Sequence, residues 1–210
     1  MSKKRRKKKA IITLFFIIIM FSVILYFLLF KLKSKDSIAI AEIKNYGYTL
    51  EKRDTKLMQD TFYSLNEVLE KSEIDYEKYA EYLSKLFIID LYTLNNKNSK
   101  YDVGGVEYIY SSHRDNYQLK VQDTLYKYLE EKSVRKQKLP IVSEINVSNI
   151  ENSETYTANE VKYEAYSLNV KWQYEKDLGY DNAGNIILIK VDNMLYIAEF
   201  TPEVDEWKKY

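Results

Sequence analysis

An uncharged apolar run near the N-terminus constrains this chain more than any other feature. Residues 10–30 read AIITLFFIIIMFSVILYFLLF and contain no charged residue, no Pro and no Gly. As a helix rising about 1.5 Å per residue, this run would span roughly 31 Å, close to the hydrocarbon thickness of a bilayer. The sequence therefore predicts a transmembrane helix over residues 10–30, with the lipid bilayer as its partner.

The charges on either side of this run predict its orientation. Seven basic residues precede the run and only three follow it before residue 36. Because positive charge favours the cytoplasmic side, we expect a cytoplasmic N-terminus and an extracellular C-terminal domain. The run is also longer than the apolar region of a cleaved signal peptide, which favours an uncleaved single-pass anchor in the cell membrane. The expected parts are a basic tail (1–9), the transmembrane helix (10–30), a stalk (31–53) and an extracytoplasmic domain (54–210).

The part of the chain after the apolar run is acidic, although the whole chain has a formal net charge of +1. Residues 36–210 hold all 31 acidic residues and 22 of the 32 basic residues, which gives a net charge of −9. Such a domain repels nucleic acid, so we expect no nucleic-acid partner. The chain has no Cys, which excludes disulfides, thiol catalysis and thiolate metal sites.

Hydrophobic periodicity predicts three helices in the first half of the domain. The first covers about 54–71 with Asp54 as its N-cap, and the second covers about 75–95 with Asp75 as its N-cap. Gly104-Gly105 marks a turn. A third helix is expected from Ser112 to about residue 131, before Pro140 stops it.

From residue 141 the pattern changes to the alternation that is typical of strands. We expect strands over about 141–150, 156–175, 186–191 and 194–200, the last two joined by a tight turn at Asp192-Asn193. The alternation in the second strand changes phase near Ala165-Tyr166, which predicts a β-bulge and a strongly curved sheet. The expected fold class is α+β, with the helices packed on a curved antiparallel sheet.

The order of a basic tail, an apolar helix, three helices and a curved four-stranded sheet resembles membrane-anchored proteins of the nuclear-transport-factor-2-like superfamily, which has a cystatin-like sheet. In layout it is similar to the TcpC-type and VirB-type assembly proteins of conjugative secretion systems. The resemblance covers residues 10–210 as an order of elements and carries no functional residue over. It implies a non-enzymatic assembly protein that contacts other envelope proteins and can form homo-oligomers.

Each candidate for a catalytic or metal-binding group in the sequence has a simpler explanation. A lone histidine, His113, cannot supply a site that needs several imidazoles. Ser133 and Lys136 have Ser-x-x-Lys spacing, but they lie in a basic, solvated cluster where the Lys would not act as a base. The oxygens of Asp177, Asp181 and nearby Asn residues could surround Ca²⁺, yet these residue types also suit a turn. We therefore predict no catalytic residue, no metal site and no cofactor.

The aromatic content is the unusual feature of the composition, with 21 Tyr, 8 Phe and 2 Trp. Tyr can bury its ring and keep its hydroxyl wet, which suits binding surfaces. We predict Tyr166, Trp172 and Tyr174 as binding residues on the concave face of the sheet. For any single one of these residues, core packing together with codon bias is the simpler explanation, because aromatic side chains commonly dominate cores.

These observations lead to one main functional hypothesis and two alternatives. The main hypothesis is a single-pass membrane protein, not an enzyme, whose outer domain mediates protein–protein assembly at the bacterial cell envelope, for example in a conjugation or secretion apparatus. The first alternative is a small-ligand-binding or enzymatic pocket of the nuclear-transport-factor-2-like type. The second alternative is binding of cell-wall glycan. Polar titratable groups that converge in a pocket would favour the first alternative.

Overall fold

The computed structural model describes residues 19–22, 39–158 and 160–203. The chain divides into two compact units, residues 1–39 and residues 40–210. In the first unit, residues 19–22 form one helical turn, in which the Ser22 hydroxyl donates to the carbonyl oxygen of Ile19 at 2.8 Å. The second unit holds every other element described below.

The predicted transmembrane helix requires a correction. Within the described ranges, no helix is long and apolar enough to cross a membrane. Of the 10–30 run only the turn at 19–22 is described, whereas a span needs about 20 residues. The longest described helix has 17 residues and carries five charged side chains. The predictions of a single-pass protein, a cell-membrane location, a cytoplasmic N-terminus and an extracellular domain are therefore not supported. The predicted tail (1–9) and the rest of the run lie outside the described residues.

Two long helices form one layer of the second unit. Helix α1 covers Lys56–Leu69 and begins one residue later than expected, because Thr55 is its N-cap and accepts from the backbone N–H of Met58. The Asp54 carboxylate instead accepts from the backbone N–H of Glu51 at 2.7 Å. Helix α2 covers Tyr76–Tyr92, and Asp75 caps it as predicted. The apolar faces of both helices contribute to the core.

The third helix is shorter than predicted. Three short 3₁₀ turns follow α2, and helix α3 then covers only Arg114–Asp123. The chain leaves the helix because the next aromatic side chain, Tyr126, is fully buried and donates its hydroxyl to the carbonyl oxygen of Leu91 at 2.8 Å. A tertiary hydrogen bond therefore overrides the helical pattern that continued to residue 131.

Four antiparallel strands form the other layer in the order β3-β4-β5-β6. Their bounds are β3 Val142–Ala158, β4 Val161–Tyr174, β5 Ala183–Val191 and β6 Met194–Pro202. The predicted strand over 156–175 is wrong, since the chain turns between Ala158 and Val161 and splits it into two strands. The register shifts lie in β3 near 142–144, 148–151 and 153–156, opposite β4, so the expected bulge at Ala165-Tyr166 is not where the extra residues occur. The sheet is nevertheless curved and antiparallel, and the described domain is α+β.

A small two-stranded sheet precedes the helices. Strands β1 (Ala39–Ile43) and β2 (Tyr48–Glu51) pair with each other within the stretch predicted as a stalk. Tyr48 is fully buried, and its hydroxyl lies 2.6 Å from the hydroxyl of Tyr79 on α2 and donates to the carbonyl oxygen of Leu195 on β6. This hydrogen-bond chain ties β2, α2 and β6 together across the core.

Candidate functional site

A cavity of about 540 Å³ lies between helix α3 and strand β6. The C-terminal end of α2 and the loop before β5 complete its wall. Its surface is largely apolar and includes side chains from each of these elements, among them Leu91, Ile109, Val121, Leu125, Ile197 and Phe200. Cavities of this size are typical of sites for small molecules.

Helix α3 forms the roof of this cavity, and two hydrogen bonds from its first residue, Arg114, hold it in place. Arg114 donates from Nε to the carbonyl oxygen of Ile109 at 2.9 Å and from Nη2 to that of Glu107 at 3.0 Å. Ile109 in turn makes a β-bridge to Ile197 on β6. The cavity-facing residues of the roof recur three and four positions apart, as one face of a helix requires: His113, Asn116, Tyr117, Lys120, Val121 and Thr124.

Aromatic rings form the inner wall. The ring centroid of Tyr92 lies 4.7 Å from that of Trp172 and 6.2 Å from that of Phe200. Trp172 is buried below this wall, while Tyr92 and Phe200 face the cavity itself. Burial and the neighbouring carboxylate of Asp181 raise the pKa of Tyr92 well above its usual range. The Tyr92 hydroxyl therefore stays protonated and can act as a hydrogen-bond donor.

A half-buried carboxylate, that of Asp181, lines the cavity beside this wall. The backbone of Asp181 is fixed by the hydroxyl of Tyr174, which donates to its carbonyl oxygen and accepts from the Nε1 of Trp172 at 2.7 Å. The Tyr92 hydroxyl donates to Oδ2 of Asp181 at 3.5 Å, a long hydrogen bond. Among the described residues, no Lys or Arg nitrogen lies within 4 Å of this carboxylate. The sequence pointed to Asp181 as a turn residue or a possible Ca²⁺ ligand, and not as part of a cavity.

The remaining polar residues that line the cavity belong to its α3 and β6 sides. His113 is half-buried, and its ring packs edge-on against Tyr110 at 5.9 Å. Lys120 and Glu199 are exposed. In the described part of the chain, the His113 side chain makes no hydrogen bond to a hydroxyl or a carboxylate. Among the described residues, His113 is therefore not paired with a nucleophile.

The three predicted binding residues lie on the helix-facing side of β4. Tyr166 and Trp172 are 3 % and 2 % exposed and belong to the core, and Tyr174 is half-buried beside Tyr180. The Tyr166 hydroxyl donates to Glu164 at 2.9 Å. Trp172 and Tyr174 support the cavity from below, and none of the three is among its lining residues. Their role in binding stays a prediction. Ser133 and Lys136 are both exposed.

A buried ionic network lies outside the cavity and surrounds the loop at 102–108. Lys97 is 1 % exposed and pairs with Asp90, whose other oxygen accepts from the backbone N–H of Gly105 at 2.6 Å. Arg53 pairs with Asp102 in a bidentate manner. Gly104 is required here, because a Cβ at this position would lie 2.1 Å from the carbonyl oxygen of Asp90. The Gly pair was the only signal of this network in the sequence.

Three carboxylates in and around this network have pKa values that differ from the usual ones. Burial raises the pKa of Glu107 to about 7, against the opposing effect of hydrogen bonds that include two from Thr49. Burial also raises the pKa of Asp54 to about 6. The Arg53 side chain outweighs burial at Asp102 and holds the pKa of that carboxyl below its usual range. None of these carboxylates lines the cavity between α3 and β6, so we interpret the network as structural.

Within the described ranges, no group of three or more His, Asp or Glu side chains could hold a metal ion. The comparisons with known proteins add no assignment, since no family, no curated protein and no solved structure matches this chain. The resemblance to the nuclear-transport-factor-2-like superfamily therefore stays a prediction.

Proposed function

We propose that residues 40–203 form a non-enzymatic binding domain, and that the cavity between α3 and β6 takes a small, largely apolar ligand. The observation that carries this proposal is the cavity itself, with about 540 Å³ of space between elements that are otherwise well packed. Apolar cavity walls lose dispersion contacts that a ligand can restore. Polar groups at a few positions can then orient that ligand.

The arrangement of the walls supports binding rather than catalysis. The acidic, basic and imidazole side chains that line the cavity are dispersed over α3, β6 and the loop before β5: His113, Lys120, Glu199 and Asp181. An acyl- or phosphoryl-transfer site would need a nucleophile held by a base, or donors directed at one developing charge. The strongest shifts of carboxylate pKa occur in the ionic network around Glu107, away from this cavity.

The proposal is tested with the neutral apolar fluorophore N-phenyl-1-naphthylamine. We expect saturable binding to the full chain, with about tenfold weaker binding when Leu125→Trp fills the cavity. Leu119→Trp is the matched control, because Leu119 is an exposed apolar residue of α3 that does not line the cavity. Thermal unfolding of both variants shows whether they are folded. Equal binding by folded Leu125→Trp and Leu119→Trp would overturn the proposal.

A second candidate function is assembly with other proteins, which one observation favours. Three tyrosines, Tyr110, Tyr163 and Tyr196, form an outer aromatic cluster, with ring centroids 6.3 Å (Tyr110–Tyr163) and 5.6 Å (Tyr110–Tyr196) apart. Tyr196 alternates with the buried Leu195 and Ile197, so the cluster lies on the sheet face that is turned away from the core. All three are half-exposed. Tyrosines on such a face are enriched at protein interfaces.

Crosslinking of the full-length protein tests this second candidate. We expect Tyr163→Ser to reduce the yield of the crosslinked protein partner at least about fivefold, since interface aromatics contribute strongly to affinity. Tyr63→Ser is the control, because Tyr63 is exposed on α1 and lies outside the cluster. Light scattering shows whether the partner is a second copy of the chain. A partner that is retained equally by both variants would contradict a role of the outer aromatic cluster.

A further inference from the structure

We propose that the ligand of the α3–β6 cavity is a cation, namely an apolar molecule with a protonated or quaternary ammonium group that lies against Asp181 and the rings of Tyr92 and Phe200. This inference rests on the proposed function of the same cavity. Three observations carry it: the state of the carboxylate, the rings around it and the charges on the rest of the lining.

The Asp181 carboxylate has few protein partners. It is half-buried, and the structure gives it one hydrogen bond, the 3.5 Å contact from the Tyr92 hydroxyl. A carboxylate that is partly removed from water loses hydration, and a cation or several donors must replace that hydration. The described residues supply no such cation, whereas a ligand in the cavity would reach the carboxylate from the open side.

The rings beside this carboxylate fit the same chemistry. Tyr92 and Phe200 line the cavity, and their centroids are 6.2 Å apart. The faces of aromatic rings attract cations through their quadrupoles, most strongly where water is excluded. A cavity lined by both a carboxylate and aromatic rings is thus suited to an ammonium group that carries apolar substituents. The aliphatic wall formed by Leu91, Val121 and Ile197 would cover the rest of such a molecule.

The other charged groups on the lining do not favour an anion. Lys120 is exposed, and an exposed ammonium group is well hydrated without any partner. Glu199 is also exposed and adds negative charge, and His113 is half-buried against the ring of Tyr110. The half-buried charge of the lining is therefore negative. The net charge of −9 over residues 36–210 adds a field that attracts cations from a distance.

The experiment compares three ligands of equal chain length as competitors of N-phenyl-1-naphthylamine on the full chain. These are decyltrimethylammonium and decanoate, each below its micelle concentration, and decanol below its solubility limit. We expect decyltrimethylammonium to displace the fluorophore at a concentration at least about tenfold lower than decanoate or decanol. The Asp181→Asn variant retains a hydrogen-bond acceptor for Tyr92 and should lose this preference.

Asp177→Asn is the matched control, because Asp177 lies in the same loop, is exposed and does not line the cavity. Both variants lose one negative charge. A preference for decyltrimethylammonium that survives in Asp177→Asn and is lost in Asp181→Asn therefore depends on the Asp181 carboxylate and not on the net charge. Equal displacement by all three ligands, or a preference for decanoate, would overturn the inference and leave the proposed function standing. Absence of specific fluorophore binding would overturn the proposed function itself.

Discussion

At the scale of single residues, the buried ion pair between Lys97 and Asp90 is the most sensitive point of the fold. We predict that Lys97→Met lowers the free energy of unfolding by about 3 kcal/mol, because it leaves the Asp90 carboxylate without its cation beside a buried loop. Urea unfolding measures this change. Lys56→Met removes an exposed pair with Asp60 and should cost less than about 1 kcal/mol. Equal costs would contradict a buried role of Lys97.

Glu107 gives the fold a dependence on pH. Burial raises its pKa in the folded state to about 7, above its unfolded value of 4.5, so the folded state holds the proton more tightly. Stability that Glu107 supports is therefore complete below about pH 4.5 and is lost as the pH rises toward 7. We predict that wild type loses about 1–3 kcal/mol relative to Glu107→Gln over this range.

Urea unfolding of both proteins at several pH values measures this difference. Other groups, such as Asp54, titrate in both proteins and cancel in the comparison. Glu42→Gln is the control, since Glu42 is exposed on β1 and its replacement should leave the pH profile of wild type unchanged. A constant difference between wild type and Glu107→Gln across this pH range would show that Glu107 is not a buried proton acceptor.

The sequence predicted local residues better than distant partners. Asp75 was identified as a cap because its bond to the backbone N–H of Lys78 depends only on neighbours three positions apart. The carboxylate of Asp54 was misassigned because it bonds backward to Glu51 instead of forward into α1. No local sequence pattern indicates that Lys97 is buried, because its burial depends on the loop that contains Gly104 and Gly105, further along the chain.

At the scale of elements, α3 depends on the two hydrogen bonds of Arg114 to the 107–109 segment. We predict that Arg114→Leu loosens α3 over the cavity, with backbone amide exchange in α3 faster by about 30-fold, as the loss of about 2 kcal/mol implies. Hydrogen exchange measured by mass spectrometry tests this, and exchange in α1 should not change. Arg135→Leu is the control, because its bonds go to the carbonyl oxygens of Glu130 and Lys97. Equal effects of the two variants on amide exchange in α3 would contradict this role of the Arg114 hydrogen bonds.

The strands show which part of the sheet a sequence can reveal. The hairpin between β5 and β6 was predicted because Asp192-Asn193 separates two apolar runs, and Asp192 indeed has a positive φ of 54°. The β3–β4 hairpin was missed because its turn contains Glu160, whose φ of 66° is unusual for that residue type. The phase change at Ala165-Tyr166 has another cause than a bulge there, since Ala165 and Tyr166 are both buried, on opposite faces of β4.

At the scale of the whole molecule, the cavity arises where elements distant in sequence fail to close on one another. Its walls come from α2, α3, the loop before β5 and the edge strand β6. The α+β class and the curved sheet followed from periodicity, but the cavity could not, because no local pattern encodes the distance between a roof helix and a strand eighty residues away. In the sequence, Asp181 has the pattern of a turn residue. The structure shows that it also lines the cavity, together with Tyr92 and Phe200.

The most direct test of this account is the location of a bound cation. A titration of the ¹⁵N-labelled full chain with decyltrimethylammonium, followed by amide chemical shifts, identifies the residues that respond. The account predicts saturable shifts in α3, in β6 between Ile197 and Pro202 and around Asp181, with none in α1. Shifts confined to the outer aromatic cluster, or no saturable shifts at all, would contradict it.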